Sequence, residues 1–390
     1  MRPLAVCLLL IAVMAAGCSL GDDEGGSPQI GVQAEDEEAA EKLGFPASAT
    51  RNTIRVGGSD AAADAAGVAG ALFPATGPSD RPTAVALVDQ NDWQTAVAAA
   101  ALAGPPIGAP LLLSDGNSLP AVTEETLDRL QPTGSDLSKD AQVIRVGAGV
   151  ARPGGYKTAV VEGDDPFERA AAIDRVLSAA RGRPSGNVVL YSGESAEWAM
   201  PAAAWAARSG DAALPVNERS IPAPVLRVLR GHERPNVYVL GPERVISKAV
   251  ENQLRARKLA GSVNRIAGPT PVESAISFAR YERGNFGWGV VVPGYNFTIA
   301  NLTRPLDVAG AASLATRGVF APLLLTDRAA TLPRPLESYL LSVQPGFESD
   351  PGQAVYNRVW ILGDDKAISL RQQAQIDATT ELIPVQATAP

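Results

Sequence analysis

Thiols and imidazoles are nearly missing from this chain, and their scarcity removes several kinds of chemistry at once. There are two cysteines, Cys7 and Cys18, and one histidine, His232. Zinc sites of the common types draw at least two ligands from histidine and cysteine, so no metal is expected, and nothing calls for a cofactor. His232 stands in the run Arg230-Gly231-His232-Glu233-Arg234-Pro235, which reads as a loop carrying a solvent-exposed ring. Gly193-Glu194-Ser195-Ala196-Glu197 follows an apolar run as a nucleophile elbow does, but it lacks the closing glycine. Gly57-Gly58 lacks the spacing of a dinucleotide fingerprint, and no phosphate-binding Gly-x-x-x-x-Gly-Lys-Ser/Thr occurs. No catalytic constellation emerges, so the expectation is a protein that is not an enzyme. A basic surplus is missing too: 34 Lys and Arg face 42 Asp and Glu, which argues against nucleic acid as a partner.

Long apolar runs are also scarce, and the one that stands out lies at the start. Leu4 to Ala16, behind Arg2, is too short to cross a bilayer and suits a signal segment. Ala15-Ala16-Gly17-Cys18-Ser19 resembles the bacterial lipoprotein cleavage box, with Ala15 where leucine is usual. That resemblance implies a signal peptide over 1–18 and lipidation at Cys18. It places the protein on the extracellular face of the cytoplasmic membrane, touching the membrane through its lipid only. Residues 19–50 hold a dense acidic stretch with no basic residue between Gly21 and Glu41, which reads as a disordered tether. With those acids set aside, the remaining charge is nearly balanced.

The rest of the chain repeats itself. Arg55-Val56-Gly57-Gly58-Ser59-Asp60, Val160-Val161-Glu162-Gly163-Asp164-Asp165 and Arg265-Ile266-Ala267-Gly268-Pro269-Thr270 open alike, with Gly58, Gly163 and Gly268 spaced by 105 and 105. An alanine-rich run of helical period follows each opening, as in Asp60 to Leu72 and Phe167 to Ala180. A β-rich run comes next: Ala84 to Val88, Asn187 to Tyr191 and Gly289 to Val292. Beyond a second helical run lie Ala109 to Asp115, Ala212 to Glu218 and Ala321 to Asp327, each an apolar strand followed by an apolar-proline step. Proline suits the first turn of a helix, and helices are expected over 124–130, 224–229 and 335–341. Val143 to Gly147, Val237 to Gly241 and Val359 to Gly363 close the pattern. Alternating helices and continuous apolar strands predict α/β architecture with parallel sheets covered on both faces. The fold expected is therefore three tandem three-layer α/β repeats, over 51–155, 156–262 and 263–390. A linear array and a pseudo-threefold ring both fit this periodicity.

The order of these motifs, three times over, resembles the cell-wall-binding repeat 2 family of Gram-positive surface proteins. Arg265-Ile266-Ala267-Gly268, Ala109 to Asp115, Ala321 to Asp327 and Val237 to Gly241 stand where that family has its opening, middle strand and closing strand. The likeness runs from about residue 50 to 385. Its Arg-Tyr after the opening glycine is replaced by Ala61-Ala62, Pro166-Phe167 and Pro271-Val272. Its Asp-Ala-Leu helix start becomes Thr95-Ala96-Val97 and Trp198-Ala199-Met200, and only Asp307-Val308-Ala309 keeps the acid. The resemblance implies wall attachment through the apolar strands Leu111-Leu112-Leu113 and Leu323-Leu324-Leu325, although by composition these are core strands.

Ligands of parallel α/β sheets collect beyond the carboxyl ends of the strands. On the expected strand boundaries, the loops there are Asp89-Gln90-Asn91-Asp92-Trp93 and Pro293-Gly294-Tyr295-Asn296-Phe297. Asp89, Asn91, Asp92, Trp93, Tyr295 and Asn296 combine rings with acids and amides, which suits sugar recognition, and Asp307 joins them as the retained family acid. Taken together, these readings predict a non-enzymatic, lipid-anchored protein of the cell envelope. It would bind an anionic or glycan wall polymer without covalent linkage. The alternatives are a solute-binding lipoprotein, or a degenerate repeat scaffold for another surface protein.

Overall fold

A computed structural model describes residues 47–385; the signal segment, Cys18 and most of the acidic tether lie outside the described residues. The architecture is α/β with parallel sheets, as the alternation implies. The first sheet holds β3 (Val85–Asp89), β4 (Leu111–Ser114), β5 (Val143–Val146) and β6 (Thr158–Val161), in the order β4-β3-β5-β6. The second holds β7 (Asn187–Ser192), β8 (Ala212–Val216), β9 (Asn236–Leu240) and β10 (Ser262–Ile266), in the order β10-β9-β7-β8.

The third sheet contains a strand that the sequence pattern assigns elsewhere. It runs β1 (Ala47–Ala49), β2 (Thr53–Val56), β16 (Arg358–Ile361), β13 (Asn296–Asn301), β14 (Leu323–Thr326). β2 opens the first sequence repeat, yet it pairs in parallel with β16, the closing strand of the third, with Trp360 opposite Ile54. The other openings behave alike. β6 pairs with β5 and β10 with β9, so every repeat's first strand belongs to the preceding sheet. The hand-over closes when the third repeat receives its outer strand from the first. Ala47–Ala49, the last stretch expected as tether, is a short strand instead, antiparallel to β2 and covering its open edge.

The helices after the opening strands stay with their own repeats. α1 (Ala61–Leu72) packs on β4 and on α3 (Ala121–Leu130). α4 (Pro166–Arg181) packs on β8 and α6 (Ala223–Gly231), and α8 (Pro271–Arg280) on β14 and α10 (Arg334–Ser342). Their starts follow from local chemistry. Asp60, Asp165 and Thr270 are N-caps whose side chains accept from the backbone N–H three residues on, and Pro166 and Pro271 occupy the first turn. The apolar-proline steps act one position earlier than expected: Pro120, Pro222 and Pro333 are the N-cap residues of α3, α6 and α10. α7 (Lys248–Ala256) lies between β9 and the handed-over β10, and α11 (Leu370–Thr379) follows β16 and packs on β16 and β2, whereas residues 147–157 of the first repeat hold no helix.

The sheets are joined through alanine. α2 (Trp93–Ala99), its 3-10 continuation Ala100–Ala103, α5 (Ala196–Ser209) and α9 (Val308–Leu314) pack on one another, and α9 also meets α1. Ala98 to Ala101, Ala202 to Ala204 and Ala309 to Ala312 are buried almost completely. Side chains this small let helix backbones approach closely. Gly104 marks the limit, because a β-carbon there would collide with the carbonyl oxygen of Ala207 from the next repeat. Leu111, Leu112, Leu113, Leu323, Leu324 and Leu325 are all buried core residues of β4 and β14.

One position carries an electrostatic code. Asp64, Arg169 and Ser274 are the fourth residues of α1, α4 and α8, spaced by 105 and 105. Arg169 reaches back to Asp92 of the first repeat at 2.6 Å, and Asp64 receives Arg304 of the third. Charge sign is thus reversed between two junctions, and Ser274 takes the same place at the remaining one. Arg169 docked against Arg304 would set like charges together, so the two ion pairs disfavour that order of the repeats.

Candidate functional site

The residues singled out from sequence fall in three separate places. Asp89, Asn91, Asp92 and Trp93 lie together after the carboxyl end of β3, where such loops were expected. Their polar groups are largely committed to one another. Asp89 Oδ1 accepts from the Asn91 backbone at 2.9 Å and from the Asn91 amide at 3.0 Å, and that amide also reaches Asp115 at 3.3 Å. Asp92 caps α2 by accepting from Thr95 N at 2.9 Å while holding Arg169. Trp93 is half-buried against the core. The cluster builds a turn and a junction, and Asp92 is not available to a ligand.

Asp307 is wholly buried, which removes it from the list of exposed ligand contacts. It accepts from Arg304 Nε at 3.0 Å, while the Arg304 Nη2 donates to Asp64, also buried. Asp64 additionally accepts from the backbone N–H of Gly58. Two buried carboxylates therefore share one guanidinium. Burial foremost, and then the Asp307 charge, push the Asp64 carboxyl well above the usual range, against the opposing pull of Arg304. Burial raises Asp307 as well, against Arg304, and its Oδ1 has no hydrogen-bond partner among the described residues. The pair retains a proton where ordinary carboxyls have lost theirs.

His232 is buried, not solvent-exposed as its loop-like surroundings suggest. Nδ1 lies 2.8 Å from the Ser185 carbonyl and Nε2 lies 2.9 Å from Asp174 Oδ1. Both partners are acceptors, so the doubly protonated ring satisfies them best. Burial opposes that charge, but the Asp174 carboxylate and the Ser185 carbonyl outweigh it and the histidine pKa is raised. Ser185 precedes β7 and Ser195 follows it, so Ser195 and His232 stand at opposite ends of a strand about 20 Å long at about 3.3 Å per residue.

Tyr295 and Asn296 lie at the other end of their sheet from the position expected. The apolar run Gly289 to Val292 is not a strand; Gly289 has φ +64° and Val291 and Val292 are 56% and 54% exposed. The strand is β13, so Gly294 and Tyr295 precede it and Asn296 is its first residue. They line a cavity of about 690 Å³ between the second and third repeats. α5 and the residues after it contribute Trp205, Arg208 and Asp211; the opposite wall comes from the third repeat, with Trp288 and Phe320 beside Tyr295.

This cavity owes its shape to a local addition. The connection between α8 and β13 carries a small hairpin of β11 (Glu282–Arg283) and β12 (Phe286–Gly287), whereas α4 and β7 are joined by residues 182–186 alone. A further short pair, β15 (Gly346–Phe347) with β17 (Ile383–Pro384), extends the same repeat. The hairpin is anchored by aromatic contact. Phe286 is fully buried, stacked on Tyr238 with ring centroids 3.4 Å apart and 4.7 Å from Trp205. Trp288 meets Trp205 edge-on at 5.5 Å. Trp205 Nε1 donates to Asp211 at 2.9 Å, so the indole's polar edge is satisfied.

The rim is held in an uncommon conformation. Phe320 has φ +53°, an outlying value for a bulky residue, and its ring is 45% exposed. The Arg208 guanidinium lies over it, 4.5 Å from the centroid, and has no carboxylate or hydrogen-bond partner among the described residues. Trp205, Arg208, Glu282, Trp288 and Phe320 escaped sequence reading because they are spread over two repeats. The available signal was compositional: in a chain with 5% aromatics, the stretch 278–297 holds Phe278, Tyr281, Phe286, Trp288, Tyr295 and Phe297.

By sequence, the chain matches no protein-family model and no curated protein. By structure it is similar to Cwp8 from Clostridium difficile, with a TM-score of 0.63 and 21% identity over 85% of this chain and 52% of that one. It is also similar to Cwp6 from the same organism, with a TM-score of 0.65 and 16% identity over 87% of this chain and 49% of that one. This chain thus spans about half the length of either protein. At these identities the likeness shows a shared fold, in keeping with the repeat pattern. No helix among the described residues is long and apolar enough to cross a membrane.

Proposed function

We propose that this protein is a non-enzymatic component of the cell envelope that associates without covalent linkage with a wall polymer, and that a lipid on Cys18 holds it at the membrane. The observation that carries the binding role is the cavity between the second and third repeats, where aromatic rings and uncommitted polar groups face one space. Its size falls in the range of about 300–1,000 Å³ usual for ligand sites. The location draws support from the shared fold with Cwp8 and Cwp6, whose names mark them as cell wall proteins.

Co-sedimentation of the purified protein with bacterial walls tests this reading, using walls that are intact or stripped of their secondary polymers. Pelleting with intact walls is the expected result, and loss of it on stripping identifies the secondary polymer. A folded protein that stays in solution with both preparations refutes wall binding. Metabolic labelling with a fatty acid, in cells making the wild type or Cys18→Ala, tests the anchor separately. Absence of label from the wild type rules out lipidation.

A further inference from the structure

The composition of the junction cavity narrows what it can hold. We infer that it is a binding site for an uncharged, N-acetylated sugar segment and not for a polyanion; this rests on the wall-binding reading and assigns its ligand class. The argument begins with charge. Arg208 is the cationic group lining the cavity, and it is opposed there by two carboxylates, Glu282 and Asp211. Asp211 is buried and accepts from Trp205 Nε1 and from the Ser185 hydroxyl, so its oxygens are committed inside the wall of the site. A phosphate-rich or uronate-rich polymer would find one guanidinium there, offset in charge by the Glu282 carboxylate, and no surplus of positive charge to hold it.

The remaining groups suit a pyranose. Trp288, Tyr295 and Phe320 supply apolar rings against which the C–H face of a sugar can pack, and a neutral ligand loses little solvation on entering. Arg208, Asn285 and Glu282 supply donors and acceptors around those rings, all on exposed residues. Glu282 makes no hydrogen bond or ion pair among the described residues. It is free to accept from sugar hydroxyls or an acetamido N–H, while Arg208 donates to an acetyl carbonyl. Phe320 has a further mark of a contact residue. Its left-handed backbone is held by tertiary structure while its ring faces outward, and such conformations cluster at ligand sites.

The test uses the full chain with two soluble probes, N-acetylglucosamine tetrasaccharide and poly(glycerol phosphate). Tryptophan fluorescence and titration calorimetry are the readouts, since Trp205 and Trp288 both line the site. The tetrasaccharide is expected to bind, with affinity unchanged between 50 and 500 mM salt. Phe320→Ala and Glu282→Gln should each weaken it about tenfold, as removing a stacking face or a hydrogen bond to a charged group does. Both side chains are exposed, and circular dichroism confirms that the variants fold. Binding of the polyanion at this site, weakened by salt and by Arg208→Gln, overturns the sugar assignment. Failure of both probes, with walls still pelleting the protein, overturns the site and leaves wall association standing. Failure of both probes and of wall pelleting overturns the two readings together. Tetrasaccharide binding unaffected by either variant places the sugar elsewhere and also overturns the site.

Discussion

Replacing Asp64 by asparagine should remove part of the protein's pH dependence, so that the variant gains stability relative to the wild type as pH rises. Asp64 and Asp307 are buried against a single Arg304, so with both acids ionised the cluster carries an uncompensated negative charge. The folded protein avoids this by keeping a proton that the unfolded chain releases above about pH 3.9. A carboxyl raised in the folded state gives stability that is fully present below its unfolded value. That stability is lost as pH rises through the folded value. For one proton the loss is about 1.4 kcal/mol per pH unit across that window. In Asp64→Asn the single amide oxygen keeps only one of the two bonds that the carboxyl accepts on separate oxygens, from Gly58 and from Arg304. That loss does not vary with pH, and Arg304 and Asp307 form a balanced pair. The variant's stability relative to wild type should therefore climb by about 1.4 kcal/mol per unit from near pH 4, then level off. Thermal unfolding of both proteins followed by circular dichroism from pH 4 to pH 8 reads this difference as a growing gap of several degrees in melting temperature. His232, whose pKa is raised, is present in both proteins and its contribution cancels. Parallel curves would refute the shared-proton cluster, and so would a wild type that gains on the variant as pH rises.

Three further perturbations address the junctions. Ile54→Pro should remove a ladder bond from a strand paired on both sides and cost about 3 kcal/mol or more. Limited proteolysis should then open the third sheet, around 296–361, before the first, although Ile54 begins the first repeat. Asp92→Ala leaves Arg169 partly buried without its partner and should destabilise by about 1–3 kcal/mol; the reversed pair Asp92→Arg with Arg169→Asp should recover part of that loss in denaturant unfolding. Gly104→Ala should force the first and second repeats apart at the Ala207 carbonyl and cost about 1–3 kcal/mol, read as a lowered melting temperature.

The alternation of helices and strands was legible because local patterns suffice for it. Apolar runs bounded by glycine and proline gave β3, β4, β5, β7, β8, β9, β14 and β16 close to their observed bounds. The hand-over of β2, β6 and β10 was not legible, since a strand's own pattern records how far it is buried and not which sheet buries it. β13 was misplaced for a related reason. Gly289 to Val292 looks more apolar than Asn296-Phe297-Thr298-Ile299, yet positive φ at Gly289 breaks the first run, and Thr298 is buried within the second. That shift carried Tyr295 and Asn296 to the opposite end of their sheet, where they line a cavity with residues from another repeat. Asp307 stood out by resemblance, but its partners Arg304 and Asp64 meet only in three dimensions. The 105-residue spacing of Asp64, Arg169 and Ser274 was present in the sequence all along. Its meaning depends on knowing that the fourth residue of each helix faces a neighbour.

The closing strand also sets a timetable for folding. β2 is among the first elements to leave a ribosome or a translocation channel, and its partner β16 is among the last. At about 5–20 residues per second the early strand waits for tens of seconds. Through that interval β1 and β2 have no sheet to join, while the first and second sheets can assemble as their chain arrives. When β16 does appear, its bare edge accepts β2 from whichever molecule presents it. In a crowded population of nascent chains, a strand from a neighbour can fill the place of the chain's own and link two molecules by exchange. The same contact that ties the first repeat to the third thus makes local protein concentration, during synthesis or export, a determinant of whether single or intertwined molecules result.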